Sequence, residues 1–272
     1  MRVLVTGATG NLGRKAVRAL LARRDLEVVQ VADDAAGDGA DVVRADLAAY
    51  RSEWASAFRR VDVVLHLAGE QSPVAGWDMV VRSNVDLTIN VMRAASESRV
   101  RRFVLASSNW VLAGYRFTSE RLTSSTPPRP VNPYGVSKLL LERIGMAAAA
   151  RTGTEFLALR IGYCQPGDNV PGPHMAFGRW GQEMWLSNED WVLAAERACV
   201  APLAESAVVH IMSDNAGMRW DLGEAERAIG YRPRAQHRPR MTPRRRFEDT
   251  LARLREAARP PMSPAPLFGA RW

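Results

Sequence analysis

The chain has 272 residues, of which 47% are hydrophobic and 24% are charged, a balance that excludes disordered, collagen-like and coiled-coil chains. No run approaches the roughly 20 apolar residues of a membrane span, and the glycines from Gly7 onward leave too short an apolar run for a signal peptide. Two cysteines, Cys164 and Cys199, do not make a disulfide framework. We therefore expect a soluble, cytoplasmic protein.

The formal net charge is +8 and is concentrated near the C-terminus. Segment 227–259 holds eleven arginines and three acidic residues, so its own net charge equals that of the whole chain. Such a segment can bind nucleic acid, but no aromatic-basic motif accompanies it, so a solvated face is favoured and nucleic-acid binding is not expected. Only Lys15 and Lys138 are lysines among the 37 basic residues.

Strand-like and helix-like segments alternate along the chain. Strands are predicted at 3–5, 27–32, 41–43, 61–67, 102–106, 155–161 and 208–212, and helices at 12–23, 52–58, 78–98, 139–150 and 188–196. The last of these helices begins after Ser187, which has capping-box spacing to Asp190. This alternation is typical of parallel βαβ units and predicts an α/β fold, a doubly wound parallel sheet of the Rossmann type.

Three regions follow from this pattern. Residues 1–162 form the predicted Rossmann core, which binds the cofactor. Residues 163–259 form a small C-terminal substrate lobe that also contributes the last core strand, 208–212. Residues 260–272 form a proline-rich tail. Trp180, Trp185 and Trp191 fall in the lobe, where packing in the core is favoured over a wall that stacks on a sugar.

A glycine-rich turn joins the first strand to the first helix. Thr6–Gly13 carries glycines spaced G-x-x-G-x-x-G, which let a dinucleotide diphosphate approach the helix N-terminus. Asp33 stands 20 residues after the last glycine, where a carboxylate binds ribose hydroxyls and favours NAD over NADP. Asp34 supports this interpretation, whereas Arg14 and Lys15 could meet an extra phosphate.

A second motif pairs a tyrosine with a lysine four residues later. On a helix, Tyr134 and Lys138 share one face. The ammonium is expected to lower the pKa of the phenol toward that of a usable base. Lysine at this position is informative because the chain otherwise prefers arginine. Ser107, Ser108 and Asn109 end the fifth strand, where side chains of a parallel sheet face its ligand.

Taken together, these motifs resemble the extended short-chain dehydrogenase/reductases, the NAD-dependent epimerase/dehydratase group. The resemblance spans residues 1–235 and also rests on HLAG at 66–69 and PYGVSK at 133–138. It implies that Ser108, Tyr134 and Lys138 are catalytic. It implies a cofactor site made of Gly7, Gly10, Asn11, Leu12, Gly13, Asp33, Asp46, Leu47, Leu67, Ala68, Gly69, Asn84, Tyr134 and Lys138.

Within this group the chain is most similar to the uronate dehydrogenases, which oxidise the anomeric carbon of a hexuronic acid with NAD⁺. The similarity is carried by segments 107–115, 157–164, 185–192 and 213–234. It implies substrate contacts from Ser72, Ser108, Asn109, Trp110, Tyr163 and Arg179. Arg179 is the nearest counterpart, one position out of register, of the arginine that binds the substrate carboxylate in those enzymes. Among the other positions, two depart from the family pattern, because Trp110 replaces a histidine and Tyr163 a serine. They imply a smaller or more apolar pocket that takes a sugar or sugar acid.

Further expectations concern assembly and other functions. The resemblance implies a homodimer or higher homo-oligomer, with apolar area offered by Leu139, Leu140 and Leu141. The alternatives are a nucleotide-sugar epimerase or dehydratase and, in another class, a non-catalytic NAD-binding sensor. A dehydratase carries an acidic residue where this chain has Asn109. The four histidines lack metal-ligand spacing, so no metal site is expected.

Overall fold

A computed structural model describes residues 1–33 and 42–258. Asp34, Asp41 and the proline-rich tail 260–272 lie outside the described residues. Seven strands form one parallel sheet in the order β3-β2-β1-β4-β5-β6-β7. The strands are β1 Arg2–Thr6, β2 Glu27–Ala32, β3 Val42–Arg44, β4 Val63–His66, β5 Arg102–Ser108, β6 Glu155–Ile161 and β7 Ala207–Ile211.

Helices cover both faces of this sheet. They are α1 Asn11–Leu21, α2 Ser52–Ala55, α3 Trp77–Val80, α4 Leu87–Glu97, α5 Pro133–Thr152, α6 Gly178–Glu183, α7 Asn188–Val200, α8 Gly223–Ile229 and α9 Pro243–Ala257. One hydrophobic cluster packs α1 and α7 against the sheet, and a second packs α2, α4 and α5 against the opposite face. The predicted doubly wound parallel sheet is confirmed.

The central strands are buried on both faces, as expected for parallel strands covered by helices. All seven residues of β5 and all four of β4 are buried. The strand order reverses between β1 and β4, because the chain leaves β1 toward β2 and β3 and then returns to the other side of β1. A parallel sheet binds its ligands beyond the carboxyl ends of the strands at such a switch point.

The bounds of the predicted helices shift by a few residues, and two of the helices differ most. The helix predicted at 139–150 already begins at Pro133, because proline is compatible with the first helical turn and the Asn132 side chain caps it by accepting from the Gly135 N–H at 2.7 Å. The helix predicted at 78–98 contains a π-helical stretch, Val81–Asp86. Sequence periodicity does not encode either feature.

The capping residue predicted for α7 is present. The Ser187 hydroxyl accepts from the Asp190 N–H at 3.0 Å. The predictions missed the 3₁₀ turn Asn109–Tyr115 and the helices α6, α8 and α9, because these segments are short or, in α9, rich in arginine. Trp180, Trp185 and Trp191 are all at most 7% exposed, so they pack in the interior.

A third hydrophobic cluster lies between the sheet edge and the C-terminal region. It gathers aromatic side chains of the 3₁₀ turn and α5 with those of α6 and its flanks. Its members include Trp110, Tyr134, Trp180, Met184 and Trp220. The C-terminal segments thus contact the end of the sheet where β5 terminates, and they close that side of the switch point.

The arginine-rich segment forms ion pairs within itself. Arg244 and Arg245 both contact Glu248, at 2.9 and 3.1 Å, and Arg253 contacts Asp249 at 3.3 Å. These pairs are at least partly exposed, as in a solvated helix face. In the part of the chain that the structure describes, no helix combines the length and apolar character that crossing a membrane requires.

Two buried histidines predict acid sensitivity. Burial lowers the pKa of His66 and of His210 to about 3, so the unfolded chain takes up protons below about pH 6.5 that the folded chain does not. The free energy of unfolding should therefore fall as the pH falls below 6.5, by roughly 1 kcal/mol per pH unit for each histidine. Urea unfolding at several pH values measures this slope. In His66→Asn the slope should be markedly smaller, and an unchanged slope would show that His66 does not cause it.

Candidate active site

A cleft of about 1070 Å³ opens at the carboxyl edge of the sheet. Six neighbouring strands each contribute to its lining a residue at or just beyond their carboxyl end. In the order β3, β2, β1, β4, β5 and β6, these residues are Ala45, Asp33, Gly7, Leu67, Ser108 and Gly162. The cleft therefore spans the switch point and extends from the β3 side to the C-terminal segments. A dinucleotide and a small second molecule fit such a volume.

The glycine turn forms the floor of the cleft. Gly7 has φ of +64°, and a Cβ on Gly13 would lie 2.0 Å from the Gly7 carbonyl oxygen, so larger residues would displace the turn. A Cβ on Gly10 would meet only that oxygen, at 3.3 Å, because its other side is open. Gly10 is also the N-cap of α1 and brings no capping side chain. The free N–H groups of α1 thus face a space that suits a diphosphate.

Acidic residues mark the end of the cleft nearest β2 and β3. Asp33 and Asp46 both line it. The Arg44 guanidinium donates to the Asp33 carbonyl at 3.3 Å, and Arg82 contacts Asp46 at 3.4 Å. Lys15 instead donates to the Gln165 carbonyl at 3.0 Å. A positive group beside Asp33 thus comes from Arg44, which sequence reasoning did not single out.

Three candidate catalytic side chains meet where β5 ends and α5 begins. Ser108, Tyr134 and Lys138 all line the cleft and are each at most 8% exposed. The Ser108 hydroxyl lies near the Tyr134 phenol and lowers the pKa of Tyr134, against the larger effect of burial. The Lys138 ammonium donates to the Ala106 carbonyl at 3.0 Å and lies 5.6 Å from the centre of the Tyr134 ring. A phenol, a hydroxyl and an ammonium therefore share one wall.

A buried ion pair holds this wall in place. Glu142 on α5 makes two hydrogen bonds with the Arg160 guanidinium on β6, at 2.9 and 2.8 Å, and accepts a third from the Ser107 hydroxyl at 2.5 Å. Both charged side chains are 3% exposed. Because Glu142 lies one helical turn after Lys138, this pair fixes α5 against β5 and β6.

Burial governs the ionisation of the tyrosine and the lysine. It raises the pKa of Tyr134 to about 12, against the opposing hydrogen bond from Ser108. It lowers the pKa of Lys138 to about 8. The expected lowering of the phenol pKa by Lys138 is therefore not observed, since desolvation of the phenolate dominates.

The far end of the cleft is mostly apolar. Trp110, Tyr163, Phe177 and Met184 line it. The Trp110 ring meets the Phe177 ring edge-on, with centroids 4.9 Å apart, and the Trp180 ring at 5.4 Å. The aromatic replacements noted in the sequence, Trp110 and Tyr163, thus stand at this end and present ring faces and edges to a ligand.

Most predicted site residues line this cleft. They are Gly7, Gly10, Asn11, Leu12, Gly13, Asp33, Asp46, Leu47, Leu67, Ala68, Gly69, Ser108, Trp110, Tyr134, Lys138 and Tyr163. Asn84 lies behind Gly69 and donates to the Ser137 hydroxyl at 3.1 Å. Asn109 is fully buried, between the Arg160 carbonyl and His210.

Asn109 was a predicted substrate residue, and two further ones also lie apart from the described lining. Ser72 is not part of it, and its backbone N–H donates to the Glu70 carboxylate at 2.7 Å. Arg179 is not part of it either, and its guanidinium donates to Glu183 at 2.7 Å. Arg179 can therefore bind a substrate carboxylate only if its ion pair with Glu183 is broken.

Sequence reasoning missed several lining residues. Glu70, Gln71, Arg82, Phe177 and Met184 all face the cleft. Glu70 and Gln71 directly follow HLAG at 66–69, and this position next to a strand end was the available signal. Among the described residues, no group of three His, Cys, Asp or Glu side chains could hold a metal ion.

The sheet order, the glycine cradle and the Ser108–Tyr134–Lys138 wall define a dinucleotide-binding protein of the dehydrogenase/reductase class. The sequence matches the NAD dependent epimerase/dehydratase family over residues 3–166. The chain belongs to this family, and its cofactor is NAD. The predicted resemblance and the predicted cofactor are confirmed.

Similar proteins include sugar and sugar-acid dehydrogenases. The chain is 37% identical to an L-arabinose 1-dehydrogenase (NAD(P)(+)) of Haloferax volcanii, over 86% of this chain and 96% of that protein. It is 31% identical to a uronate dehydrogenase of Pseudomonas putida, over 86% and 84% of the two chains. A crystal structure of uronate dehydrogenase from Agrobacterium tumefaciens matches with a TM-score of 0.73 at 27% identity, over 97% and 91% of the two chains.

Proposed function

We propose that the protein oxidises a hydroxyl on the anomeric carbon of a small sugar or sugar acid, with NAD as cofactor. The observation that carries this proposal is the meeting of Ser108, Tyr134 and Lys138 on one buried wall of the cleft. The named activities of the relatives support the substrate class. The size of the cleft suits a monosaccharide beside the cofactor.

In this proposal Tyr134 is the general base and takes the hydroxyl proton of the sugar. Ser108 donates a hydrogen bond to the same sugar oxygen and holds it toward the phenol. Lys138 places a positive charge on the side of the Tyr134 ring and so stabilises the phenolate once the cleft is filled. NAD⁺, when bound, supplies the hydride acceptor and a further positive charge.

The activity is tested by mixing the purified protein with NAD⁺ and a panel of aldoses, uronic acids and nucleotide sugars. We expect NADH to accumulate with monosaccharides. Reaction with nucleotide sugars alone would instead favour an epimerase or dehydratase. Tight NAD binding without reaction of any sugar would favour a sensor.

The preference for NAD over NADP is proposed to depend on Asp33. Replacing this carboxylate by alanine removes the repulsion of a 2′-phosphate and leaves the Arg44 guanidinium beside it. Asp33→Ala should raise the NADP/NAD ratio of kcat/KM by about tenfold or more. The double variant Asp33→Ala/Arg44→Ala should lose most of this gain. A wild-type preference for NADP would contradict the role given to Asp33.

We also propose a homodimer that pairs through α4 and α5. Leu140 and Ile89 are 41% and 42% exposed, one on each helix, and offer apolar area. Leu141 is fully buried and so cannot contribute to this surface. Sedimentation should show a dimer that Leu140→Glu weakens, with Glu205→Gln as a surface control. A monodisperse wild-type monomer would contradict the proposal.

A further inference from the structure

Glu70 is a cleft-lining carboxylate to which the mechanism above gives no role. It lies two residues beyond the Leu67–Ala68 pair that follows β4, and it is half-buried. Its carboxylate accepts a hydrogen bond from the Ser72 N–H at 2.7 Å, which fixes the side chain over its own loop. A carboxylate has about four acceptor positions, so this bond leaves capacity for a ligand.

Glu70 lies in a loop that packs against the start of α5, where the Asn132 amide donates to the Pro73 carbonyl at 2.7 Å. Burial dominates the pKa of both Tyr134 and Lys138, and the negative charge of Glu70 adds an upward contribution to each. Electrostatic effects of this kind act over short distances in a partly buried site. A substrate held against the Tyr134 phenol therefore lies within the field of Glu70.

The cations in and near the described lining have partners within the chain. Arg82 contacts Asp46, toward the β3 side. The Lys138 ammonium is held by the Ala106 carbonyl behind Tyr134. Arg179 contacts Glu183 and is not among the described lining residues. Apart from Asp33 and Asp46, which lie toward β2 and β3, Glu70 is the one carboxylate in the described lining, which also contains the aromatic side chains of Trp110, Tyr163 and Phe177.

We propose that Glu70 determines substrate specificity and that the substrate is a neutral aldose rather than a hexuronate. An ionised carboxylate only accepts hydrogen bonds. Glu70 can therefore accept them from the hydroxyls of a sugar, whereas it repels a substrate carboxylate, which has no proton to donate. Trp110, Tyr163 and Phe177 offer rings for the apolar face of the sugar. This inference rests on the proposed function.

Three sugars form a matched test. L-Arabinose, D-galactose and D-galacturonate share the configuration of their ring carbons and differ only in the group on C5, which is hydrogen, hydroxymethyl or carboxylate. The wild-type kcat/KM should be at least about tenfold higher for the better neutral sugar than for galacturonate, because like charges meet in a partly desolvated site. Glu70→Gln keeps the shape of the side chain and removes its charge. It should therefore reduce the ratio of kcat/KM for the neutral sugar to that for galacturonate by about tenfold.

A binding measurement separates recognition from chemistry. Calorimetric titration of the NADH-loaded protein should show that Glu70→Gln tightens galacturonate binding and weakens binding of the neutral sugar. The control is Glu205→Gln, which makes the same charge change at an exposed loop position. Glu205→Gln should leave the dissociation constants of galacturonate and of the neutral sugar unchanged, together with the ratio of their kcat/KM values.

The failures of the two proposals can be told apart. A wild-type preference for galacturonate, or an unchanged ratio in Glu70→Gln, would overturn the role of Glu70 while sugar oxidation stands. An equal effect of Glu205→Gln would overturn it as well, since the overall charge would then be the cause. If none of the three sugars reduces NAD⁺, both the proposed function and this inference fail.

Discussion

Tyr134→Phe should lower kcat for sugar oxidation by at least about 1000-fold, because the change removes only the atom that accepts the proton. Tyr134 is 8% exposed and lines the cleft, and phenylalanine fits the same space. NAD binding should remain within about threefold of wild type, since the glycine cradle is untouched. Turnover is followed by the absorbance of NADH and binding by calorimetry.

The matched control is Tyr50→Phe. Tyr50 also loses a hydrogen-bonded hydroxyl, which contacts Glu97 at the surface, but it lies outside the described lining of the cleft. Its kcat should equal that of wild type. If Tyr134→Phe retained most of the activity, another group would have to be the base, and the assignment of the site would be wrong.

Glu142→Ala should lower the free energy of unfolding by about 3–5 kcal/mol, because it leaves the Arg160 guanidinium buried without its carboxylate. It also removes the acceptor of the Ser107 hydroxyl. The loss of unfolding free energy should therefore exceed that caused by an ordinary surface substitution. The substitution should also loosen the part of α5 that carries Tyr134 and Lys138. Urea unfolding at pH 7.5 measures the first effect, and kcat at a permissive temperature measures the second.

Two further variants test whether the unpaired buried charge causes the loss of stability. Glu142→Met/Arg160→Met removes both charges and should recover much of the stability, since neither charge is then buried alone. Glu248→Ala breaks an exposed contact with Arg244 and should cost at most about 0.5 kcal/mol. A loss in Glu142→Ala no larger than in Glu248→Ala would contradict a holding role for the buried pair.

The fold was predictable because its signals are local and periodic. The strand at 27–32 has the same bounds in sequence and structure, and the Ser187 cap forms as its spacing indicated. The Tyr134–Lys138 spacing placed both side chains on one face of α5, because helical geometry depends only on the separation along the chain. The glycine turn could likewise be predicted from the spacing of its glycines, since the backbone segments of the turn lie too close together for most other side chains.

The rest depended on contacts between distant segments. Arg179 is an attractive anion ligand in sequence, but its partner Glu183 lies one turn away and the pair stands outside the described lining. Burial reversed the expected direction of the Tyr134 pKa, and burial is a property of the packed chain. Glu70 carries no motif of its own, and the role proposed for it rests on its place in the lining of the cleft.

Transfer of deuterium from the anomeric carbon tests the central proposal most directly. The protein is mixed with NAD⁺ and an aldose deuterated at C1, and the label is followed into reduced cofactor and product by mass spectrometry. Oxidation at the anomeric carbon predicts that one deuterium appears in NADH, that the product lactone carries none, and that Tyr134→Phe abolishes the transfer. Deuterium retained in the sugar, or NADH formed without label, would contradict the account.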